Sequence, residues 1–138
     1  MKVFLDTNVI ISSLVTHGHA AEVFEHCLSN HECYTSDQVL SELEEKLEDK
    51  FGYTKLEIKT ALDFLINNTE VIKEYTGLPE TICRDADDDN ILAAAISIKV
   101  DCILTGDKDL LVLKDYKNIN IIPPKRFWVL EKLSMKKN

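Results

Sequence analysis

Four aspartates, Asp85, Asp87, Asp88 and Asp89, crowd into one short segment, and a fifth, Asp107, closes the run Leu104-Thr105-Gly106-Asp107. A sixth, Asp6, follows directly on the apolar run Val3-Phe4-Leu5. Each acidic group stands at the edge of an apolar segment, where buried structure meets water. Gathered carboxylates repel one another; at a separation of about 5 Å and an effective dielectric of about 20, one pair costs roughly 3 kcal/mol. A fold that collects several of them needs a compensating cation, and an all-oxygen donor set favours Mg²⁺ or Mn²⁺. The chemistry this implies is a metal-dependent site acting on phosphate.

The elements that must position these acids alternate along the chain. Short β-rich runs at 3–5, 32–35, 70–73, 102–105 and 119–122 are separated by helical patterns at 8–15, 20–28, 37–48, 54–67 and 87–99. Thr35 or Ser36 is placed to cap the third helix, whose apolar stripe is Val39, Leu43 and Leu47. Thr54-Lys55-Leu56-Glu57 is a capping box that opens the fourth, with Ile58, Leu62, Leu65 and Ile66 as its buried face. Pro123-Pro124 starts a last short helix, proline being suited to a first turn. This alternation predicts an α/β fold: three layers, α/β/α, around a central, mainly parallel five-stranded sheet. Residues 1–133 are expected to form a single domain and residues 134–138 a frayed tail.

In open α/β sheets, sites lie outside the carboxyl ends of the strands. Asp6 follows the first strand, Asp107 follows the fourth, and the helix carrying Asp85 to Asp89 follows the third. If the first and fourth strands are parallel neighbours, their acids fall together. Asp88 lines up with Leu92 and Ile96, and Asp89 with Ala93, so either borders the buried stripe. Glu42, beside Leu43, lies at the margin of the third helix's apolar face. Asn8 and Thr105 are placed to orient carboxylates by hydrogen bonds. Taken singly, each acid has a plainer role: Asp85 to Asp89 as an acidic first turn, Asp107 as a turn residue, Asp6 as a helix cap. The shared rim is what favours a site.

The bulk composition narrows the options. A chain of 138 residues with 45% apolar and 29% charged residues suits one ordinary globular domain. The longest apolar run is far short of the roughly 20 residues that span a bilayer, and the N-terminal apolar stretch is too short for a signal peptide. No membrane association is expected. Cys27, Cys33, Cys83 and Cys102 show no paired spacing and read as reduced thiols of a cytoplasmic protein. His17, His19, His26 and His31 read as solvated helix and loop residues, with a zinc site as the alternative. A net charge of −8 argues against gripping nucleic acid mainly by phosphate neutralisation. It leaves a nuclease open, since bound divalent cations reverse the local potential. Basic residues concentrate near the C-terminus at Lys125, Arg126, Lys132, Lys136 and Lys137, as a solvated face or a contact for nucleic acid or a partner.

The chain resembles the PIN domain family of metal-dependent ribonucleases over nearly its whole length. The likeness rests on Val3-Phe4-Leu5-Asp6-Thr7-Asn8-Val9-Ile10, on Glu42, on the stretch from Asp85 to Ala95, on Leu104-Thr105-Gly106-Asp107-Lys108-Asp109-Leu110 and on the closing Ile121-to-Phe127 segment. It implies a five-stranded parallel sheet, a Mg²⁺ or Mn²⁺ site and endonucleolytic hydrolysis of RNA. Asp6, Glu42, Asp89 and Asp107 match the family's acidic quartet, with Asp6, Asp89 and Asp107 as metal ligands. Asp88 is the alternative to Asp89, and Asp85 an auxiliary. The subgroup it looks most like is the VapC-type toxins of toxin–antitoxin pairs, which implies a cognate antitoxin. A homodimer is a further implication, in which Phe127 or Trp128 either takes part or packs the last helix onto the core.

Two other functions compete. A catalytically degenerate PIN module would act as a binding protein, against which the intact carboxylate set argues. A haloacid-dehalogenase-like phosphatase would use Asp6 as nucleophile, but that chemistry wants a second Asp two residues on, where Asn8 stands.

Overall fold

The computed structural model describes residues 1–136. The chain runs β1 (Lys2–Leu5), α1 (Thr7–Val15), α2 (His19–Asn30), β2 (Glu32–Ser36), α3 (Asp37–Asp49), α4 (Lys55–Asn68), β3 (Glu70–Ile72) and α5 (Ala86–Ser97). It continues through β4 (Cys102–Leu104), α6 (Lys108–Leu111), β5 (Asp115–Tyr116), β6 (Ile119–Ile122), a 3₁₀ turn (Pro124–Arg126) and α7 (Phe127–Lys136). The sheet has the order β3-β2-β1-β4-β6-β5. Every pairing is parallel except β5 with β6.

The expected three-layer α/β/α architecture is present, with six strands rather than five. The added strand β5 forms a hairpin with β6 through Lys117 and Asn118, both at positive φ (48° and 69°). A two-residue hairpin loop that matches the twist of its strands requires positive φ at both central residues. Lys-Asn adopts it here without the glycine that announces such turns. The short helix α6 is also additional to the expected elements.

Burial explains the central strands. Val3, Phe4 and Leu5 of β1 and Cys102, Ile103 and Leu104 of β4 are fully buried, as strands covered on both faces must be. The helices α1 to α4 pack among themselves; the strand order reverses direction after β3, so the right-handed rule for crossovers sends α5 and α6 to the opposite face. In α5, Ile91, Leu92, Ala93, Ala94 and Ala95 are buried in succession, so the helix is enclosed on all sides and its small residues allow close approach to the sheet.

The predicted caps are in place. Ser36 accepts a 3.3 Å bond from the Val39 N–H, and the Thr54–Glu57 capping box is complete. Val39, Leu43 and Leu47 are fully buried as expected. In α4, however, Ile66 faces solvent and Ala61 takes the inward position. Phe127 is fully buried and anchors α7, which continues through Ser134 to Lys136. The rest of the expected frayed tail, Lys137 and Asn138, lies outside the described residues. The four cysteines are buried and free. No helix among the described residues is long and apolar enough to cross a membrane.

Candidate metal centre

The chain leaves β1 toward β2 on one side and later returns to place β4 on the other, so a topological switch point lies between β1 and β4. Leu5 and Leu104 are register partners there, and the Asp6 N–H donates to the Leu104 carbonyl at 3.1 Å. Asp6 and Asp107, the acids just beyond these two strands, therefore meet at one rim, as the sequence pattern anticipates.

Asp6 is 3% exposed. Its Oδ2 accepts a 2.6 Å bond from the Thr105 hydroxyl and a 3.4 Å bond from Asn8 Nδ2, while Oδ1 accepts from the Thr7 N–H at 2.7 Å. Burial pushes its carboxyl up to about 6; the bonds from Thr105 and Thr7 pull the other way, and the charges of Glu42 and Asp107 add to the rise. Asp107 caps α6, accepting from the Asp109 N–H at 2.8 Å, and Thr105 Oγ1 accepts from the Asp107 N–H at 3.0 Å. One hydroxyl thus ties both acids together. Asn8 Oδ1 accepts the Gly106 N–H at 2.7 Å. A Cβ at Gly106 would stand 3.3 Å from that oxygen, tight enough to push Asn8 aside.

The N-terminus of α5 supplies Asp88, 5% exposed and directed at the same rim. Burial, then the charge of Asp107, pushes its carboxyl up to about 7, with Asp85 and Asp6 adding to the repulsion. Asp88, Asp107 and Asp109 each offer one oxygen within 4.8 Å of the others. Asp89, one residue on, turns elsewhere: its carboxylate accepts the Cys83 N–H at 2.8 Å and the Ile82 N–H at 3.2 Å. There it lines a cleft of about 320 Å³ with the Gly77-to-Thr81 loop. The structure thus brings Asp88 to the acidic rim and commits Asp89 to the loop ahead of α5. Asp85 is exposed and caps α5 through the Asp87 N–H at 2.9 Å.

Glu42 joins from α3. Its Oε2 accepts from the Thr7 hydroxyl at 3.2 Å and its Oε1 meets Lys46 Nζ at 2.7 Å, one helical turn along. The capping role weighed for Asp6 is therefore real, Asp85 and Asp107 also cap their helices, and these roles coexist with the gathered site. Sequence patterning did not single out three neighbours. Asp109 completes the oxygen cluster. Lys46 is raised chiefly by its bond to Glu42, with the charges of Asp6 and Asp107 contributing. Arg84 pairs with Asp109 at 2.7 Å. The i, i+4 spacing of Glu42 and Lys46 was the legible signal for Lys46; nothing along the chain tied Arg84 to Asp109.

The donors that converge are all oxygen, two of the acids are buried, and their carboxyls are raised by burial and mutual repulsion. This is the set a hard divalent cation fits. Beside it runs a groove of about 440 Å³ lined by residues that include Asn8, Ser12, His19, Gly106 and Lys125.

Comparison with known proteins places the fold and the family. In fold the chain is similar to VapBC2 from Rickettsia felis, solved bound to a DNA fragment from its promoter, with a TM-score of 0.64 and 18% identity over 89% of this chain and 98% of that one. It is also similar to Mycobacterium tuberculosis VapC20, described as a sarcin–ricin loop cleaving toxin, with a TM-score of 0.59 and 14% identity over 86% and 98% of the two chains. FitAcB from Neisseria gonorrhoeae gives a TM-score of 0.58 and 16% identity over 89% and 98%. An uncharacterized protein of Methanocaldococcus jannaschii is 35% identical, covering 88% of this chain and 83% of its own length. Residues 2–109 match the family model of the PIN domain, and the chain belongs to that family.

Proposed function

We propose that this PIN domain is a metal-dependent endoribonuclease, hydrolysing RNA phosphodiester bonds, and that it serves as the toxin of a toxin–antitoxin pair. The convergence of Asp6, Glu42, Asp88 and Asp107 on the rim beyond β1 and β4 carries the reading. Asp6, Asp88 and Asp107 would hold Mg²⁺ or Mn²⁺, with Asp88 taking the place that the family resemblance assigns to Asp89. When bound, such an ion supplies Lewis-acid stabilisation of the phosphate and activation of a water nucleophile.

The chain's own residues prepare that site. Thr105 and Asn8 fix the Asp6 carboxylate, and Thr105 sets Asp107 in register with it. Thr7 and Lys46 hold Glu42 at the edge, where it is placed to accept a proton. Lys46 and Arg84 are cations beside the rim that a phosphate oxygen could meet. The groove past Asn8 and Lys125 offers a path for the RNA strand.

Membership of the PIN domain family supports the nuclease, and the fold shared with VapC20, VapBC2 and FitAcB supports the toxin role. An antitoxin and a second copy of the chain are the protein partners this reading adds. The test is to titrate Mn²⁺ and Mg²⁺ into wild-type and Asp6→Asn protein with labelled single-stranded and structured RNA. Cleavage that needs the metal and disappears in the variant is the expected result. A folded wild-type protein that binds neither metal and cleaves no RNA would overturn it.

A further inference from the structure

Two of the four histidines meet a glutamate that lies far from them in sequence. His26 on α2 and His31, just ahead of β2, both direct Nε2 at the same oxygen of Glu131 on α7, at 2.5 Å and 2.6 Å. These two are not the solvated residues expected from sequence; their side chains are 29% and 11% exposed, and that of Glu131 is 17%. The three donor atoms lie within 4.8 Å of one another. The rings are walled by aromatics: Trp128 lies 4.7 Å and Phe127 6.1 Å from His26, and Phe127 lies 5.4 Å from His31, centroid to centroid. Their outer nitrogens are engaged as well, His26 Nδ1 with Asn30 Nδ2 at 3.3 Å and His31 Nδ1 with the Met1 nitrogen at 3.0 Å.

We propose that His26, His31 and Glu131 form a second metal site, one for Zn²⁺ or a similar late transition metal, which clamps α7 to α2 and to the start of β2. The donor set separates it from the acidic rim. Two imidazoles and one carboxylate suit Zn²⁺, whereas Mg²⁺ and Mn²⁺ favour oxygen. The place separates it too: His31 stands at the amino end of β2, and the rim lies beyond the carboxyl ends, about 15 Å away along the strands.

The geometry needs little change. Around a tetrahedral Zn²⁺ with bonds near 2.0–2.1 Å, neighbouring donors stand about 3.3 Å apart. The two Nε2–Oε2 separations would open by about 0.8 Å, within reach of small side-chain rotations. The outer contacts turn Nε2 inward, and because Asn30 Nδ2 and the Met1 ammonium are donors, Nδ1 accepts and Nε2 carries the proton given to Glu131. An ion at Nε2 moves that proton to Nδ1 and releases the outer contact. Burial works against a charge on Glu131, and the two imidazoles together outweigh it, holding the carboxyl below its ordinary range. An anionic oxygen and two inward-facing imidazole nitrogens are thus gathered before any ion arrives. Water fills the fourth position.

The experiment is Zn²⁺ and Co²⁺ titration of the full chain carrying Asp88→Asn, which disables the acidic rim, with and without His31→Gln. One ion per chain is expected in the first protein, with visible Co²⁺ bands of a four-coordinate complex. His31→Gln should weaken binding by more than the roughly 100-fold that losing an outer hydrogen-bond partner costs. Absence of uptake, or equal affinity in both proteins, would show a hydrogen-bonded latch only and overturn the proposal. The unmutated chain provides a check independent of folding in the variant. One equivalent of Zn²⁺ should shield His26 and His31 from carbethoxylation by diethyl pyrocarbonate and leave the exposed His17 and His19 reactive. Equal modification of all four with and without Zn²⁺ would count against the site.

Discussion

The Thr105 hydroxyl donates to Asp6 Oδ2 at 2.6 Å across the seam between β1 and β4. Thr105 Oγ1 also accepts from the Asp107 N–H, so removing that hydroxyl loosens two acids at once. Thr105→Val keeps the shape and deletes the bond. The buried Asp6 oxygen then loses its shortest partner, which should cost about 1–3 kcal/mol of stability at neutral pH. Mn²⁺ affinity should fall by roughly 10- to 100-fold, as expected when a ligand loses the group that orients it. Urea unfolding and calorimetric Mn²⁺ titration measure the two effects; unchanged affinity would remove Thr105 from the site.

Asp88 and Asp89 differ in what they touch, so their Asn variants should differ in kind. Asp88→Asn removes a charge repelled by Asp107, Asp85 and Asp6. It should raise the stability of the metal-free protein and abolish Mn²⁺ binding and RNA cleavage. Asp89→Asn weakens bonds to the Ile82 and Cys83 N–H groups. It should lower stability by about 1–2 kcal/mol and leave Mn²⁺ affinity within a fewfold of wild type. Thermal unfolding beside Mn²⁺ titration separates the pair. The opposite pattern would return the ligand role to Asp89.

Which of these neighbours faces the other acids was not legible along the chain, and the reason is physical. Residues 91 to 95 are buried on every side of α5, so no apolar stripe records how the helix is rotated. Asp6 and Asp107 were legible because one directly follows, and the other lies three residues beyond, a strand buried on both faces, and the switch point brings such strand ends together. Glu42 was legible only as a residue beside the Val39, Leu43, Leu47 stripe. The β5–β6 hairpin escaped because its turn is Lys-Asn and its first strand is two residues long. The meeting of His26 and His31 with Glu131 escaped because it spans about 100 residues and depends on where α7 docks.

The raised carboxyls make metal-free stability depend on pH in a definite direction. Asp6 rises from 3.8 to about 6 on folding, and Asp88 from 3.8 to about 7. Between those limits the folded state holds more protons than the unfolded one, so stability falls as pH increases. The penalty is absent below about pH 4 and complete above about pH 7. For Asp6 it is on the order of 3 kcal/mol, from 1.36 kcal/mol per pH unit. In EDTA, wild-type protein should therefore lose stability relative to Asp6→Asn between pH 4 and pH 7. Saturating Mn²⁺ should cancel that loss by stabilising the ionised acids. Urea unfolding of both proteins across the range is the measurement, and a difference that is flat or of opposite sign would contradict the burial argument.

Lys46 is a positive charge set against the acids, 2.7 Å from Glu42 and within the influence of Asp6 and Asp107. It partly neutralises the rim before any ion binds, and it repels an incoming cation. Replacing it with Met keeps the length and removes the charge. A unit charge about 8 Å away at an effective dielectric near 40 contributes roughly 1 kcal/mol, so Mn²⁺ should bind about fivefold more tightly to Lys46→Met. The metal-free protein should meanwhile lose some stability, because Glu42 gives up its partner. RNA cleavage should fall at saturating Mn²⁺, since Lys46 is a cation placed to meet the phosphate. Tighter metal binding with slower cleavage distinguishes a phosphate contact from a simple counter-ion, which would show the first effect without the second.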